Sequence, residues 1–300
     1  MTRKSGLLLV GHGSRTESGR AEMLEIGEQV SKAVPELEVQ VGFLELSDPP
    51  ASLSLDHLVS KGVLDMSIVP LVLNPAGHSK SDVPAVVNYG KLKYPEVSFS
   101  YGRPIGIDQR ALDIAHRRMI EHDSAGLPLL LGARGTSDPD ANGDSYKVAR
   151  LLAEANGSPY FEVGFSGITW PTVPDALAQL KAKGAERIVC FSWFVCTGLL
   201  LEQMRLDFTQ FAIERDVDIV DSGYLGPDPA LVPLILERHH EALGAQIRMN
   251  CDVCAYRMPF PGLEDRVGQA IGHGHSHLAV EHLESVGGGS VVESGHEHLH

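Results

Sequence analysis

The chain has 300 residues, 43% hydrophobic and 21% charged, with a formal net charge of -14. This is the composition of a folded globular protein long enough for two cores of moderate size, and its negative charge argues against nucleic-acid binding, because a phosphate backbone needs a basic face. The apolar run Leu7 to Val10 stops after four residues, which predicts neither a signal peptide nor a membrane span, and four cysteines in so long a chain predict no disulfide framework and a cytoplasmic location.

Gly6 to Val10 reads as a strand buried on both faces, and Gly11-His12-Gly13-Ser14 then allows a sharp turn that presents His12 at the strand's C-terminal end. Glu17 to Val34 has helical spacing and is ended by Pro35. Val39 to Glu45 is predicted as a strand that delivers Glu45, and Ser47-Asp48-Pro49-Pro50 starts a helix through Leu55 and Leu58 to Lys61. A third strand over Asp65 to Leu73 runs into Asn74-Pro75-Ala76-Gly77-His78, a second glycine-preceded histidine at a strand end. Ser81-Asp82-Val83-Pro84 opens another helix, Val97 to Tyr101 forms a fourth strand, and Asp108 to Glu121 forms a closing helix. Such alternation predicts a doubly wound α/β unit with a mostly parallel sheet, whose chemistry belongs at the strand C-termini.

The pattern then restarts at Leu129-Leu130-Leu131-Gly132-Ala133-Arg134-Gly135-Thr136. Matching Gly11 with Gly132, Val41 with Val163, Ile68 with Ile188 and Asp108 with Asp228 gives offsets of 120 to 122 residues. Two tandem homologous α/β domains follow, at 1–124 and 125–247, with an active cleft between them and a CxxC and His-rich tail at 248–300. On this register Ala133 stands for His12, Gly167 for Glu45 and Gly198 for His78, so the first repeat carries the ionisable groups. Drift between duplicated scaffolds would not select three such positions together.

Two imidazoles and a carboxylate at neighbouring strand ends can hold a divalent metal, and imidazole can also move protons near neutrality. Together these suggest a site that hands a metal to a ligand while removing that ligand's protons. The block Leu9 to Arg15, the strand end Phe43-Leu44-Glu45, and the block Pro70 to Pro84 containing Ala76-Gly77-His78 and Asp82-Val83-Pro84 resemble the class II tetrapyrrole chelatases. The likeness is specifically to the sirohydrochlorin cobaltochelatases of cobalamin biosynthesis, over residues 5–245. The resemblance implies a lyase inserting Co²⁺ into sirohydrochlorin with loss of two protons. It makes His12 and His78 the metal-binding and proton-abstracting catalytic pair and Glu45 a supporting catalytic and metal-binding carboxylate. Long members with a comparable tail also imply an iron–sulfur centre at Cys251 and Cys254, for which a homodimer can supply the missing thiolates.

Other residues keep two readings. Ser14 and Arg15 either cap the following helix or, with Arg134, donate to substrate carboxylates. Trp170 and Trp193 line the cleft or fill core, Cys190 and Cys196 fit core packing, and His116, His239 and His240 fit solvent-facing or structural roles on helices. His273, His275, His277, His282, His296, His298 and His300 suggest loose metal capture. Alternatives to cobalt insertion are a sirohydrochlorin ferrochelatase making siroheme, a histidine-nucleophile phosphatase suggested by His12 beside Arg15, and a metal-storage or metallochaperone protein.

Overall fold

A computed structural model describes residues 3–244. The first half contains β1 (Ser5–Gly11), α1 (Glu17–Ala33), β2 (Glu38–Phe43), α2 (Ala51–Ser60), β3 (Asp65–Pro70), α3 (Val83–Lys93), β4 (Ser98–Tyr101) and α4 (Gln109–Glu121). A π-helical turn, His78–Asp82, leads into α3. The second half repeats the plan with β5 (Leu129–Ala133), α5 (Pro139–Asn156), β6 (Phe161–Phe165), α6 (Val173–Ala182), β7 (Arg187–Ser192), α7 (Leu199–Arg215), β8 (Asp218–Tyr224) and α8 (Leu231–Leu243). Both sheets are four-stranded and parallel, in the orders β2-β1-β3-β4 and β6-β5-β7-β8. This is the predicted doubly wound fold, made twice.

The strand alternation sorts three apolar clusters. Leu8 and Val10 pack outward with Leu55 and Leu58 of α2 and Val83 and Val86 of α3. Leu130 packs outward with Leu177 of α6 and Met204 and Phe208 of α7. The inward set, Leu7 and Leu9 with Leu129 and Leu131, joins residues of α1, α4, α5 and α8 in one continuous core between the sheets. Because β1 and β5 are covered on both faces, each reads in sequence as an unbroken aliphatic run.

The closing helices are exchanged between the halves. Helix α4 packs against β7, β8 and α5, whereas α8 packs against β3, β4 and α1. A buried polar joint accompanies the exchange. Arg238 of α8 is fully buried and donates from Nη2 to Asp108 Oδ2 at 2.8 Å, while Asp108 caps α4 through the Arg110 amide.

Backbone hydrogen bonds correct the repeat register. Leu44 N donates to Gly11 O and Ser166 N to Ala133 O; Leu71 N donates to Val10 O and Trp193 N to Gly132 O. These matched pairs fix an offset of 122 through β1, β2 and β3, so Gly11 corresponds to Ala133 and His12 to Arg134. Ile68, opposite Leu8, corresponds to Cys190, opposite Leu130, rather than to Ile188. At the helix starts Lys80 N donates to Ala76 O and Glu202 N to Gly198 O, which places Leu200, not Gly198, in the position of His78. The three-leucine run is indifferent to the slip of one residue at Gly11 and His12, whereas Ile68 and His78 are displaced by two, so His12 does not match Ala133 nor His78 Gly198. Glu45 with Gly167 and Asp108 with Asp228 stand.

Candidate active site

His12 follows β1 directly, Glu45 lies two residues past β2, and His78 opens the π-helical turn beyond β3, so the order β2-β1-β3 gathers all three at one end of the first sheet. The chain can turn at Gly13 only because it lacks a side chain: its φ is +101°, and an added Cβ would lie 1.7 Å from the Glu45 carbonyl oxygen. Glu45 N donates to His12 O at 3.0 Å, which ties the two loops together.

The His12 and His78 rings meet edge to face with centroids 4.4 Å apart. One potential ligand atom from each of His12, Glu45 and His78 falls within 4.8 Å of the other two. A single divalent ion with bonds of about 2.1 Å joins such a set after small side-chain rotations. His12 Nε2 is 2.8 Å from Glu45 Oε1, but the pair is not aligned as a hydrogen bond, and this buried nitrogen has no hydrogen-bond partner among the described residues. Burial, then the adjacent His78 and Arg134 charges, pull His12 from 6.5 to about 4, against a smaller opposing effect of the Gly13 carbonyl. At neutral pH the ring is therefore uncharged, and its contact with Glu45 is not an ion pair. A buried, neutral, unpartnered imidazole nitrogen beside a carboxylate can take a divalent metal ion.

His78 is held from the other side. Its Nδ1 lies 2.6 Å from Asp82 Oδ2, which leaves Nε2 for a metal. Asp82 is almost wholly buried, and sequence alone offers it only as part of the block that opens a helix. The signal was the spacing of four residues from His78, which puts both side chains on one helical face.

Arg134 joins the site from the second half. The residue is exposed overall, yet partial burial of its charged group lowers its pKa, an effect partly offset by Glu45. Ser14 and Arg15 divide differently. Thr16, not Ser14, caps α1 by accepting from Gly19 N, and the Ser14 hydroxyl is engaged by Thr16 N and Thr16 Oγ1. Arg15 is exposed on the same loop.

The second half also supports the loop that carries His78. Asn74 Nδ2 donates to Ala141 O at 2.8 Å and Ser145 Oγ at 2.7 Å, and Asn74 Oδ1 accepts from Trp193 Nε1 at 3.1 Å. Lys80 Nζ is buried against Asp138 Oδ2 at 2.7 Å and Asp140 Oδ2 at 3.3 Å. Trp193 is thus core with one polar anchor, whereas Trp170 is 82% exposed. Cys190 and Cys196 are buried thiols whose pKa burial pushes well up, as expected of packing residues. His239 is buried with Nδ1 2.7 Å from Ser67 Oγ, and His240 is exposed. A hollow of about 510 Å³ at the opposite end of the first sheet is lined by Arg3, Lys4 and His239 among others, but these three already pair with Asp65, Glu38 and Ser67. Among the described residues no helix is long and apolar enough to cross a membrane. Cys251, Cys254 and the histidines from His273 onward lie outside the described residues.

The sequence signature of the CbiX family fits the chain twice, over residues 6–122 and 128–242. A sirohydrochlorin cobaltochelatase of Priestia megaterium is 35% identical over 259 residues, 84% of each chain. A sirohydrochlorin ferrochelatase of Bacillus subtilis (strain 168) is 28% identical over 244 residues, covering 79% of this chain and 92% of the relative. Among solved structures, SirB from Bacillus subtilis with Fe³⁺ superposes with a TM-score of 0.70 at 25% identity, over 81% of this chain and 97% of that one. The sirohydrochlorin chelatase SirB from Bacillus subtilis subspecies spizizenii in complex with cobalt gives 0.68 at 27% identity, over 80% and 96%.

Proposed function

Because the chain belongs to the CbiX family of metal chelatases, we propose that it is a lyase inserting a divalent metal ion into sirohydrochlorin, with Co²⁺ as the metal and cobalamin biosynthesis as the setting. The observation that carries the reading is the convergence of His12, Glu45 and His78 around an unpartnered imidazole nitrogen. Residues 1–124 form the catalytic half in this reading and 125–247 the supporting repeat.

Each residue's part follows from its environment. His12, with a pKa of about 4, binds almost no proton at neutral pH and serves as a ligand rather than as the base. His78, with Nδ1 occupied by Asp82, offers Nε2 as the second ligand. Glu45, whose side chain is 33% exposed, contributes an oxygen to the metal. As the tetrapyrrole nitrogens replace the protein ligands, the freed carboxylate takes a pyrrole proton and passes it to water. Two protons leave per metal inserted, which balances the charge of the ion. The macrocycle carries many carboxylates, and Arg134 and Arg15 at the mouth supply donors for them, with Ser14 beside them. Exposed Leu199 and Leu200, in the second half's counterpart of the His78 turn, supply apolar surface for a planar ring.

Iron insertion is the nearest alternative, since the same nitrogen and oxygen ligands accept Fe²⁺ and a ferrochelatase relative is 28% identical. Anaerobic absorbance of sirohydrochlorin mixed with enzyme and either Co²⁺ or Fe²⁺ tests both, with faster spectral conversion expected for cobalt; no conversion with either metal removes the assignment. A phosphatase is disfavoured because Lys80, near His78, is committed to Asp138 and Asp140. Cys251 and Cys254 remain part of the proposal as ligands of an iron–sulfur centre, to be judged by iron and sulfide analysis after anaerobic purification. A storage role predicts several metal ions bound per chain without turnover.

A further inference from the structure

We propose that Asp82 is a positioning residue that fixes the tautomer and aim of His78, an inference that rests on the reading of His78 as a metal ligand. Asp82 occupies the residue before α3, where an aspartate ordinarily caps a helix, yet its side chain caps nothing. The π-helical turn removes the need: it carries the helical path straight from His78 into α3, with Val83 N donating to His78 O, and Asp82 itself has helical φ and ψ of -72° and -44°. The carboxylate turns instead to His78, where Oδ2 meets Nδ1 at 2.6 Å. Oδ1 is buried and has no hydrogen-bond partner among the described residues, so His78 supplies the hydrogen bond for which this carboxylate is withheld from water.

A buried acid with one partner and no capping role is expensive as a purely structural element. As an acceptor for Nδ1–H it has a defined effect. Imidazole carries its single proton on either nitrogen, and an acceptor at Nδ1 places the proton there and the lone pair on Nε2. The turn that bears both residues is itself anchored: Tyr101 donates to Ser79 O at 2.6 Å, and Lys80 reaches Asp138 across the halves. The acceptor is therefore fixed in place before a metal arrives.

The test compares Asp82→Ala and Asp82→Asn with the unaltered full chain in three measurements. The first is Co²⁺ affinity without tetrapyrrole, read from the visible absorption of bound cobalt. The second is the His78 tautomer, read from ¹⁵N–¹H correlations of the metal-free protein. The third is the cobalt dependence of insertion. Asp82→Ala should weaken Co²⁺ binding by roughly 10- to 100-fold, move the His78 proton toward Nε2, and raise the apparent KM for cobalt more than it lowers kcat. Asp82→Asn, whose amide oxygen accepts the same hydrogen bond, should recover most of the affinity and the wild-type tautomer. Unchanged affinity and tautomer in Asp82→Ala overturn the proposal, as does an Asp82→Asn variant no better than alanine at equal thermal stability. If the unaltered protein binds cobalt but inserts it into no tetrapyrrole, the functional reading falls, while the tautomer and affinity shifts still support Asp82.

Discussion

His12 and Arg134 occupy the same position of the two repeats, and both are delivered to one site. Each follows its strand and precedes a glycine of positive φ, Gly13 or Gly135, and the Arg134 charge is among the influences that keep His12 deprotonated. Duplication supplied two equivalent strand ends, of which one carries an imidazole and the other a cation. The site is therefore polar in two senses, with neutral imidazole nitrogen on one wall and a guanidinium on the other.

Arg134→Ala should separate these roles. Cobalt binding in the absence of tetrapyrrole should be unchanged or slightly tighter, because a cation near the ligands is gone. The KM for sirohydrochlorin should rise about tenfold, the loss of ~1.4 kcal/mol expected of one charge-assisted contact. Steady-state kinetics with each substrate varied in turn check this; a KM that moves for cobalt alone refutes it.

Loss of His12 or His78 to alanine should lower insertion by at least about 100-fold, with thermal midpoints close to wild type, since neither ring belongs to the apolar clusters. Retained turnover in either variant argues against the ligand assignment.

Gly13→Ala should be as damaging as loss of a ligand. The new Cβ meets the Glu45 carbonyl at 1.7 Å and the backbone sits at φ +101°, so the Glu45 loop must move. Gly167→Ala is the matched control: it stands in the position of Glu45 in the other repeat and has nothing within 4 Å of an added Cβ. Insertion assays on both should show collapse in the first and near-normal rates in the second.

Asp108→Ala should cost about 2–4 kcal/mol, because it removes one of three carboxylates around the fully buried Arg238, which keeps Glu237 and Glu241, and uncaps α4. Burial alone would raise the Asp108 pKa, but hydrogen bonds from Arg110 and the charges of Arg110 and Arg238 outweigh it and bring it to about 2. Urea unfolding monitored by circular dichroism measures the loss, and a midpoint within experimental scatter of wild type contradicts it.

Acid should weaken the fold as soon as pH falls through the ordinary histidine range. His12 and His239 both have folded pKa values of about 4, the second lowered first by burial and then by His240. The unfolded chain binds their protons near 6.5, so it holds more protons than the native state between these limits. Stability is then complete above pH 6.5, falls as pH drops toward 4, and levels off below, by on the order of 3 kcal/mol for each ring. Denaturant midpoints at pH 7.5 and 5 should show the decline, and His12→Ala should show less of it. A wild-type midpoint that does not move across that interval rejects the account.

Much of this was legible in the chain. Runs such as Leu7 to Val10 and Leu129 to Leu131 mark central strands because both faces need apolar cover, and the glycine-flanked His12 and His78 announce strand-end chemistry. Three things were not legible. The repeat register was lost by one residue where three leucines in a row offer no phase, and with it the equivalence of His12 and Arg134. Asp82 looked like a helix start, since nothing in composition marks a π-helical turn. The exchange of α4 and α8 depends on which sheet an amphipathic helix meets, and Leu112, Ile114, Leu234 and Ile235 would suit either.

That exchange sets an order on synthesis. The inner face of the first sheet waits for α8, which ends at Leu243, and the Asp108 carboxylate waits for Arg238. A nascent chain halted after its first 124 residues would hold His12, Glu45 and His78 on a sheet whose inner face α1 covers only in part, and such a fragment should be held by chaperones, pair with a second copy or aggregate. The ribosome must deliver almost the whole described chain before α8 can reach β3 and β4, so cover of that part of the first sheet reports that translation has passed the second repeat.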